Sequence, residues 1–386
     1  MTIIGPQGFR AAGLAAGIKD GERLDLALVV NDGPQHAAAG LFTTNQVKAA
    51  PVLWSQQVLA GGALRGVVLN SGGANACTGP EGFQTTHATA EKAAELLGCG
   101  AGEIAVCSTG IIGEQLPRAK VLAGLEKAVA GLADTVVAGT AAATAVLTTD
   151  SRPKQVQIVD DDGWSVGGFA KGSGMIAPAM ATMLVVLTTD AVADAATCEA
   201  ALRNAVEWTF NRLDIDGGTS TNDTVLLLAS GASEVTVSVD ELTSTLTAAC
   251  AALCQELQAD AEGATKRVSV SVRGARSDAD ALTVARTVSQ DNLCKTAWFG
   301  SDPNWGRIAM AVGRSAAMVD PERLAITING VAMCRDGVAA GDRHAADLAG
   351  PEILVEIDLG VGDGVGGILT TDLSHAYVEE NSAYSS

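Results

Sequence analysis

The sequence predicts an α/β fold in which helices pack on layers of β-sheet. Three observations point to it: short apolar runs suited to buried strands, stretches in which valine alternates with polar residues, and longer segments with helical spacing. A purely parallel doubly wound sheet would show mainly the first kind of strand. The mixture therefore favours helices packed on mixed sheet layers, and no repeat or low-complexity linker marks a boundary within the chain.

In the first part of the chain, predicted strands and helices alternate. Apolar runs predict buried strands at residues 24–30, 66–69 and 104–107, and helical spacing predicts helices at 85–97 and 117–133. Glycine-rich turns at 70–77 and 108–113 follow the second and third strands. Backbone amides are therefore expected to collect at these turns.

The second part begins with a long apolar run, up to residue 190, that predicts a buried central strand. Helices are expected at 194–212 and at 240–261, the latter with Asp240 as its N-cap. Val235, Val237 and Val239 alternate with polar residues, and the same pattern follows in the valines of 268–272. Both stretches predict half-buried strands of an antiparallel type.

Composition narrows the class of function. Lysine and arginine number 25 against 44 acidic residues, which gives a net charge of −19 and a pI near 4.5. Such a surface repels phosphate backbones and anionic membranes, so nucleic acid and membrane partners are disfavoured. Aromatic residues make up only 3% of the chain, which suits a layered enzyme better than a binding module with aromatic anchors.

The cysteines and the N-terminus predict a reduced, cytoplasmic protein. The eight cysteines are scattered without a CxxC pair, and Cys250 and Cys254 lie on the apolar face of a predicted helix. The first residues lack the basic start and apolar block of a signal peptide, and no apolar run reaches membrane-spanning length.

Several motifs that resemble metal, catalytic or cofactor sites are better explained as parts of the fold. The four histidines show no zinc-ligand spacing, so neither a metal site nor a Ser-His-Asp triad is expected. The stretch 214–217 begins like a calcium loop but lacks its later ligands, and is interpreted as a structural turn. Glycines at 362, 364 and 367 match a dinucleotide pattern, but a strand-like segment follows them where a helix is required.

The stretch 171–190 carries the strongest candidate for chemistry. A lysine and a glycine-rich turn lead into the apolar run, with Thr182 at the junction. The residues alone leave two interpretations open, a core strand after a turn or a latent N-terminus. If the bond between Ala181 and Thr182 were cut, the new α-amine would lie beside the hydroxyl that it can deprotonate.

A hydroxyl nucleophile also needs an oxyanion site, and the turn at Thr109 and Gly110 is the candidate. Taken by itself, the same turn is better explained as a plain connection from strand to helix. Lys171 has the alternative of a solvated lysine at a turn, and Glu262 that of a polar residue at a helix end.

The segment Lys-Gly-Ser-Gly-Met-Ile-Ala-Pro-Ala-Met-Ala-Thr-Met-Leu at 171–184 closely resembles the signature of the ornithine acetyltransferase family, also called glutamate N-acetyltransferase. Further blocks resemble that family in order along nearly the whole chain. They lie at 70–77, 107–110, 148–150, 214–217, 220–224, 259–263, 299–307 and 380–386. Two departures are Ala179, where many members have asparagine, and 313–350, which matches only loosely.

The resemblance implies a self-processing enzyme. The precursor would cut itself between Ala181 and Thr182 into an α chain, 1–181, and a β chain, 182–386. Thr182 would take an acetyl group from N-acetylornithine and pass it to glutamate in a ping-pong cycle of arginine biosynthesis, with Thr109 and Gly110 stabilising the oxyanion.

The family's substrate contacts map onto six positions, and no cofactor is implied. These positions are Thr148, Lys171, Thr182, Glu262, Asn381 and Ser386. A lysine can pair with a carboxylate and a glutamate with an amine, while neutral Asn and Ser accept either substrate. Whether acetyl-CoA also serves as a donor stays open.

The implied fold is a layered α/β assembly, superficially like the N-terminal-nucleophile hydrolases and usually α2β2. Two rival functions stay open. One is a self-processing aminopeptidase or amidase that uses water as the acceptor, and the other is an uncleaved, non-catalytic paralogue that acts as a binding protein.

Overall fold

The computed structural model describes residues 2–177 and 183–383. The chain divides into two compact units. Unit 1 contains Met1–Asn211 and Thr219–Leu257, and unit 2 contains Arg212–Gly218 and Gln258–Ser386. Both are built from mixed sheets and helices, so the prediction of a layered α/β fold is confirmed.

Unit 1 contains two mixed sheets. The first has the strand order β1-β2-β4-β5 and the second the order β3-β9-β8-β7-β6. The strands are β1 (Phe9–Leu14), β2 (Leu26–Asn31), β3 (Ala37–Phe42), β4 (Gly66–Asn70), β5 (Ile104–Ser108), β6 (Lys154–Val159), β7 (Ser165–Lys171), β8 (Leu184–Thr189) and β9 (Thr224–Ala229).

Unit 1 also contains six α-helices within the described residues. They are α1 (Ala50–Leu59), α2 (Gly79–Leu97), α3 (Arg118–Ala130), α4 (Val136–Ala145), α5 (Ala195–Trp208) and α6 (Val239–Ala259). A continuous cluster of buried apolar residues joins the two sheets, from Leu28 and Val68 in the first to Val186 and Leu226 in the second. Cys250 and Cys254 are buried in α6, as predicted.

Two groups of neighbouring strands, one in each sheet of unit 1, place the candidate site. Strands β4 and β5 are parallel, with Asn70 opposite Ser108, so the glycine-rich turns that follow them leave the sheet side by side. Strand β8 runs antiparallel to β7 and parallel to β9, and all three are buried along their whole length. The strands on either side of the predicted cleavage point are therefore hydrogen-bonded neighbours.

Unit 2 contains one mixed sheet with the order β13-β12-β11-β14-β10-β15 and its own apolar core. Its strands are β10 (Arg267–Ala275), β11 (Ala325–Ile328), β12 (Val331–Arg335), β13 (Val338–Ala339), β14 (Glu352–Asp358) and β15 (Gly364–Thr371). Its helices are α7 (Asp278–Ser289), α8 (Asn292–Phe299), α9 (Trp305–Gly313) and α10 (His375–Ala383). The glycine pattern at 362–367 leads into β15, as predicted, rather than into a helix.

None of the helices in 2–177 or 183–383 is long and apolar enough to cross a membrane.

Two predicted elements differ from the structure. The strand predicted through Val235 and Val239 is wrong: the described stretch makes a single bridge, from Thr236 to Val192, and Val239 already belongs to α6. Ser238 rather than Asp240 caps that helix. Its hydroxyl accepts from the Glu241 amide at 3.3 Å and the Glu241 carboxylate accepts from the Ser238 amide at 2.8 Å, a capping box that outweighs a short alternation.

The strand predicted through the valines of 268–272 is confirmed as β10, but it lies inside the sheet and is not purely antiparallel. It pairs in parallel with β14 and antiparallel with β15. Alternation indicates which residues are buried, whereas the direction of a neighbour depends on the path of the chain.

The stretch 214–217 forms a turn, as predicted. The Asp214 carboxylate accepts from the Gly217 amide at 3.0 Å and from the Gln290 side chain at 2.7 Å. Burial outweighs these hydrogen bonds and raises the pKa of Asp214 to about 6.

This raised pKa gives stability a defined pH dependence. The folded state holds the Asp214 proton more tightly, so the contribution is full below about pH 4 and is lost as the pH rises through about 6. Relative to Asp214→Asn, the wild-type protein should lose about 2 kcal/mol of stability across this window. Urea midpoints measured at several pH values test this, and identical pH slopes for the two proteins would contradict it.

Candidate active site

The turn at the end of β5 has a backbone that requires glycine. Gly110 has a φ of +127°, and a Cβ added there would lie 2.6 Å from the Gly73 nitrogen and 2.8 Å from the Gly72 carbonyl carbon. Neither the Thr109 hydroxyl nor the Gly110 amide donates to a residue within the described ranges. Two donors at the end of a buried strand are thus available to a ligand.

Two asparagines hold this turn. The backbone carbonyl of Asn70 accepts from the Thr109 amide at 3.0 Å, and its side chain accepts from the Ser108 hydroxyl at 2.6 Å. Asn222, only 4% exposed, donates to the carbonyls of Ala74 at 2.6 Å and Ser108 at 2.8 Å. The block 220–224 resembles the family, but the sequence gives no sign of the role of Asn222, because its partners lie far away along the chain.

Asp150 brings together two of the predicted substrate-binding residues. Its carboxylate accepts from the Thr148 amide at 3.2 Å, and lies 3.8 Å from the Lys171 ammonium and 2.6 Å from that of Lys154. Burial alone would raise the pKa of Asp150, but Lys171 and Lys154 together lower it to about 2. The alternative of a solvated Lys171 is wrong, because its side chain is 3% exposed.

A second buried carboxyl lies next to the predicted cleavage point. Asp223 precedes β9, is fully buried, and accepts from the Met183 amide at 3.2 Å through Oδ1. Its Oδ2 atom has no hydrogen-bond partner among the described residues, and burial raises its pKa well above the usual value. This carboxyl therefore holds the amide that follows residue 182. The sequence offered no signal for it beyond its place in the block 220–224.

Unit 2 brings together two other predicted residues. The Asn381 side chain, on α10, donates to the Glu262 carboxylate at 2.9 Å and to the Tyr377 carbonyl at 3.0 Å. Glu262 lies beyond the end of α6, so it is not a terminal residue of that helix. Ala181, Thr182 and Ser386 lie outside the described residues, as does Ala179, so their assigned roles stay predictions.

Comparisons with known proteins agree along the whole chain. A family model, described as the ArgJ family, matches residues 10–386. The chain is 58% identical to the arginine biosynthesis bifunctional protein ArgJ of Mycobacterium bovis, over 100% of this chain and 96% of the relative. It is 55% identical to the protein of the same name from Streptomyces avermitilis, over 100% of both. A crystal structure of an ornithine acetyltransferase complexed with ornithine, from Mycobacterium tuberculosis, has 57% identity and a TM-score of 0.46, and covers 47% of this chain and 96% of that chain.

The layered fold and these relatives define an N-acetyltransferase of α/β architecture. The chain belongs to the ArgJ family, as its sequence blocks predicted, and it acts in arginine biosynthesis. The two rival functions, a peptide-hydrolysing enzyme and a non-catalytic paralogue, are not favoured.

If the turn at Gly110 supplies the predicted oxyanion donor, replacing Gly110 with alanine should lower the rate of acetyl transfer roughly 100-fold or more, the usual effect of losing one such donor. The added Cβ would displace the turn from residues 72 and 73, because it meets backbone atoms that have no room to move. The measurement is the kcat of purified variants.

Gly113→Ala is the matched control for that variant. Gly113 also has a positive φ, of +94°, but a Cβ there meets nothing within 4 Å. This control should retain most of the wild-type rate. Equal rates in the two variants would show that the close approach at Gly110 does not matter.

Proposed function

We propose that this chain transfers the acetyl group of N2-acetyl-L-ornithine to L-glutamate through an acetyl-Thr182 ester, after cutting itself between Ala181 and Thr182. The observation that carries the proposal is full-length identity above 50% with relatives named as bifunctional proteins of arginine biosynthesis. The available donors at Thr109 and Gly110 support it further.

The first half-reaction forms the ester. The Thr182 hydroxyl attacks the acetyl carbonyl and gives its proton to the α-amine of the same residue, whose ordinary pKa near 8 suits a base at neutral pH. Thr109 and Gly110 donate to the oxyanion that develops on the carbonyl. When the intermediate collapses, the proton passes to the leaving nitrogen and ornithine departs.

The second half-reaction runs these steps in reverse, with the α-amine of glutamate in place of the amine of ornithine. The α-amine of glutamate attacks the ester, its proton passes back through the Thr182 α-amine to the hydroxyl, and N-acetylglutamate leaves. One pocket must accept both amino acids. Lys171 would pair with a substrate carboxylate and Glu262 with an amine, while Thr148, Asn381 and Ser386 hydrogen-bond to either substrate without a charge preference.

Self-cleavage would give an α chain, 1–181, and a β chain, 182–386, that remain together. Strand β7 would belong to the first chain and β8 to the second, and these buried neighbours are paired from Val166 opposite Thr189 to Lys171 opposite Leu184. We place the enzyme in the cytoplasm as an α2β2 assembly. No cofactor is required, and acetyl-CoA would be an additional donor to the same threonine.

Self-cleavage predicts two fragments for the purified wild-type protein, the second beginning at Thr182. Intact mass and N-terminal sequencing measure this directly. Thr182→Ala should remain one uncut, inactive chain, because it lacks the attacking hydroxyl. Thr296→Ala, which alters an exposed threonine of α8, should be cut normally. A wild-type chain that stays whole and is nevertheless active would rule out the mechanism.

Ping-pong transfer predicts how ornithine release depends on glutamate. Without glutamate, N-acetylornithine should yield about one ornithine per active site, because the ester then accumulates. With glutamate, release should continue in step with N-acetylglutamate formation. Both products are measured by amino-acid analysis, and the ester by the mass of the second fragment. Continuous ornithine release without glutamate would instead indicate hydrolysis.

A further inference from the structure

Helix α10 carries Asn381 but has no buried residue among its described positions. Apolar packing therefore contributes little to the position of this helix. An aromatic contact supports its start, where His375 lies edge-on to Phe299 with ring centroids 5.4 Å apart. Hydrogen bonds also hold this helix.

The first turn of α10 is held at the turn that follows Glu262. The Ser374 hydroxyl donates to the Gly263 carbonyl and accepts from the Tyr377 amide at 3.0 Å. Gly263 has a φ of +57°, and a Cβ there would lie 2.1 Å from the Tyr377 nitrogen. The backbones touch, so the helix begins at a defined place beside Glu262.

Tyr377 then connects α10 to the turn at 214–217. Its hydroxyl donates to Asp216 Oδ2 at 3.1 Å, and its carbonyl accepts from the Asn381 side chain at 3.0 Å. The Asp216 carboxylate also accepts from the Gly218 amide at 3.3 Å, which orients it. Burial raises the pKa of the Tyr377 phenol well above its usual value, and the negative charges of Asp216 and Glu262 raise it further. The phenol therefore remains a donor throughout the physiological pH range.

We propose that Tyr377 and Asp216 are positioning residues that hold Asn381 against Glu262, and that they thereby set the affinity for the amine of N-acetylornithine. This inference rests on the proposed function, in which Glu262 binds that amine. Without the phenol–carboxylate bond, α10 loses the contact between its Tyr377 side chain and the turn at 214–217. Asn381 can then move away, and Glu262 loses the amide that orients its carboxylate.

Loss of this hydrogen bond should change the KM for N-acetylornithine but not the KM for glutamate. Tyr377→Phe keeps the ring and removes the hydrogen bond to a charged acceptor, so the KM for N-acetylornithine should rise roughly 10-fold. The kcat and the KM for glutamate should change less than about 2-fold, because glutamate presents its amine to the acetyl ester rather than to Glu262. Self-cleavage should run to completion, since its residues lie elsewhere in the chain.

Asp216→Asn and the double variant complete the test. If both residues act through one bond, the double variant should raise this KM no more than either single change. Val378→Ala, at an exposed neighbouring position of α10, is the control and should behave as wild type. Asp216→Asn also provides a test that retains the tyrosine if Tyr377→Phe fails to fold.

Glu262→Gln separates this inference from the proposed function. If Glu262→Gln raises the KM for N-acetylornithine while Tyr377→Phe and Asp216→Asn leave it unchanged, the positioning role is refuted and the function stands. Equal changes in both KM values and kcat would likewise refute it, as they indicate general damage to the fold. If Glu262→Gln has no effect on this KM, the assignment of Glu262 itself fails.

Discussion

Backbone pairing of the buried strands β7, β8 and β9 sets the positions of Lys171 and Asp223 in unit 1. A strand buried on both faces has no polar side to specify its register, so polar contacts at the strand ends must do so. At one end the Asp223 carboxyl holds the Met183 amide, and Lys171 lies opposite Leu184 and reaches Asp150. The groups that define the register are thus the groups placed beside the predicted cleavage point.

Those same groups are costly to bury. An unpaired charge or amide inside a protein destabilises it by several kcal/mol, so each must be matched to a partner. Asp150 is matched to two lysines, and Asn222 satisfies two backbone carbonyls of neighbouring loops. Asp223 is matched less completely, since its Oδ2 atom has no hydrogen-bond partner among the described residues. An imperfectly satisfied carboxyl next to the predicted cleavage point is the kind of local conflict expected at functional sites.

Much of the candidate site could be predicted from short sequence blocks, because those parts of it are formed by residues that are close together in the sequence. A glycine turn after a buried strand requires few neighbours to form, so the turn at Gly110 could be predicted from its own residues. The candidate roles of Gly110 and Lys171 came from the blocks that resemble the family. The roles of Asn222 and Tyr377 could not be predicted, because their partners lie far away in the sequence, at Ser108 and Asp216. A single amide or phenol in a sequence gives no sign of a distant acceptor. The strand predicted through Val235 failed for a similar reason, since alternation cannot show whether a partner strand is near.

The amino-acid sequence by itself determined the family, several of the strands and helices, and the residue types that the chemistry needs, because these depend on local patterns and on matched blocks. Tertiary structure alone decided which of these residues meet. Thr148 and Lys171 share a carboxylate from Asp150, and Asn381 reaches Glu262 because α10 is held at Tyr377. Hydrogen bonds and ion pairs act over a few ångströms of space, so their partners are chosen by strand register and helix docking rather than by distance along the chain.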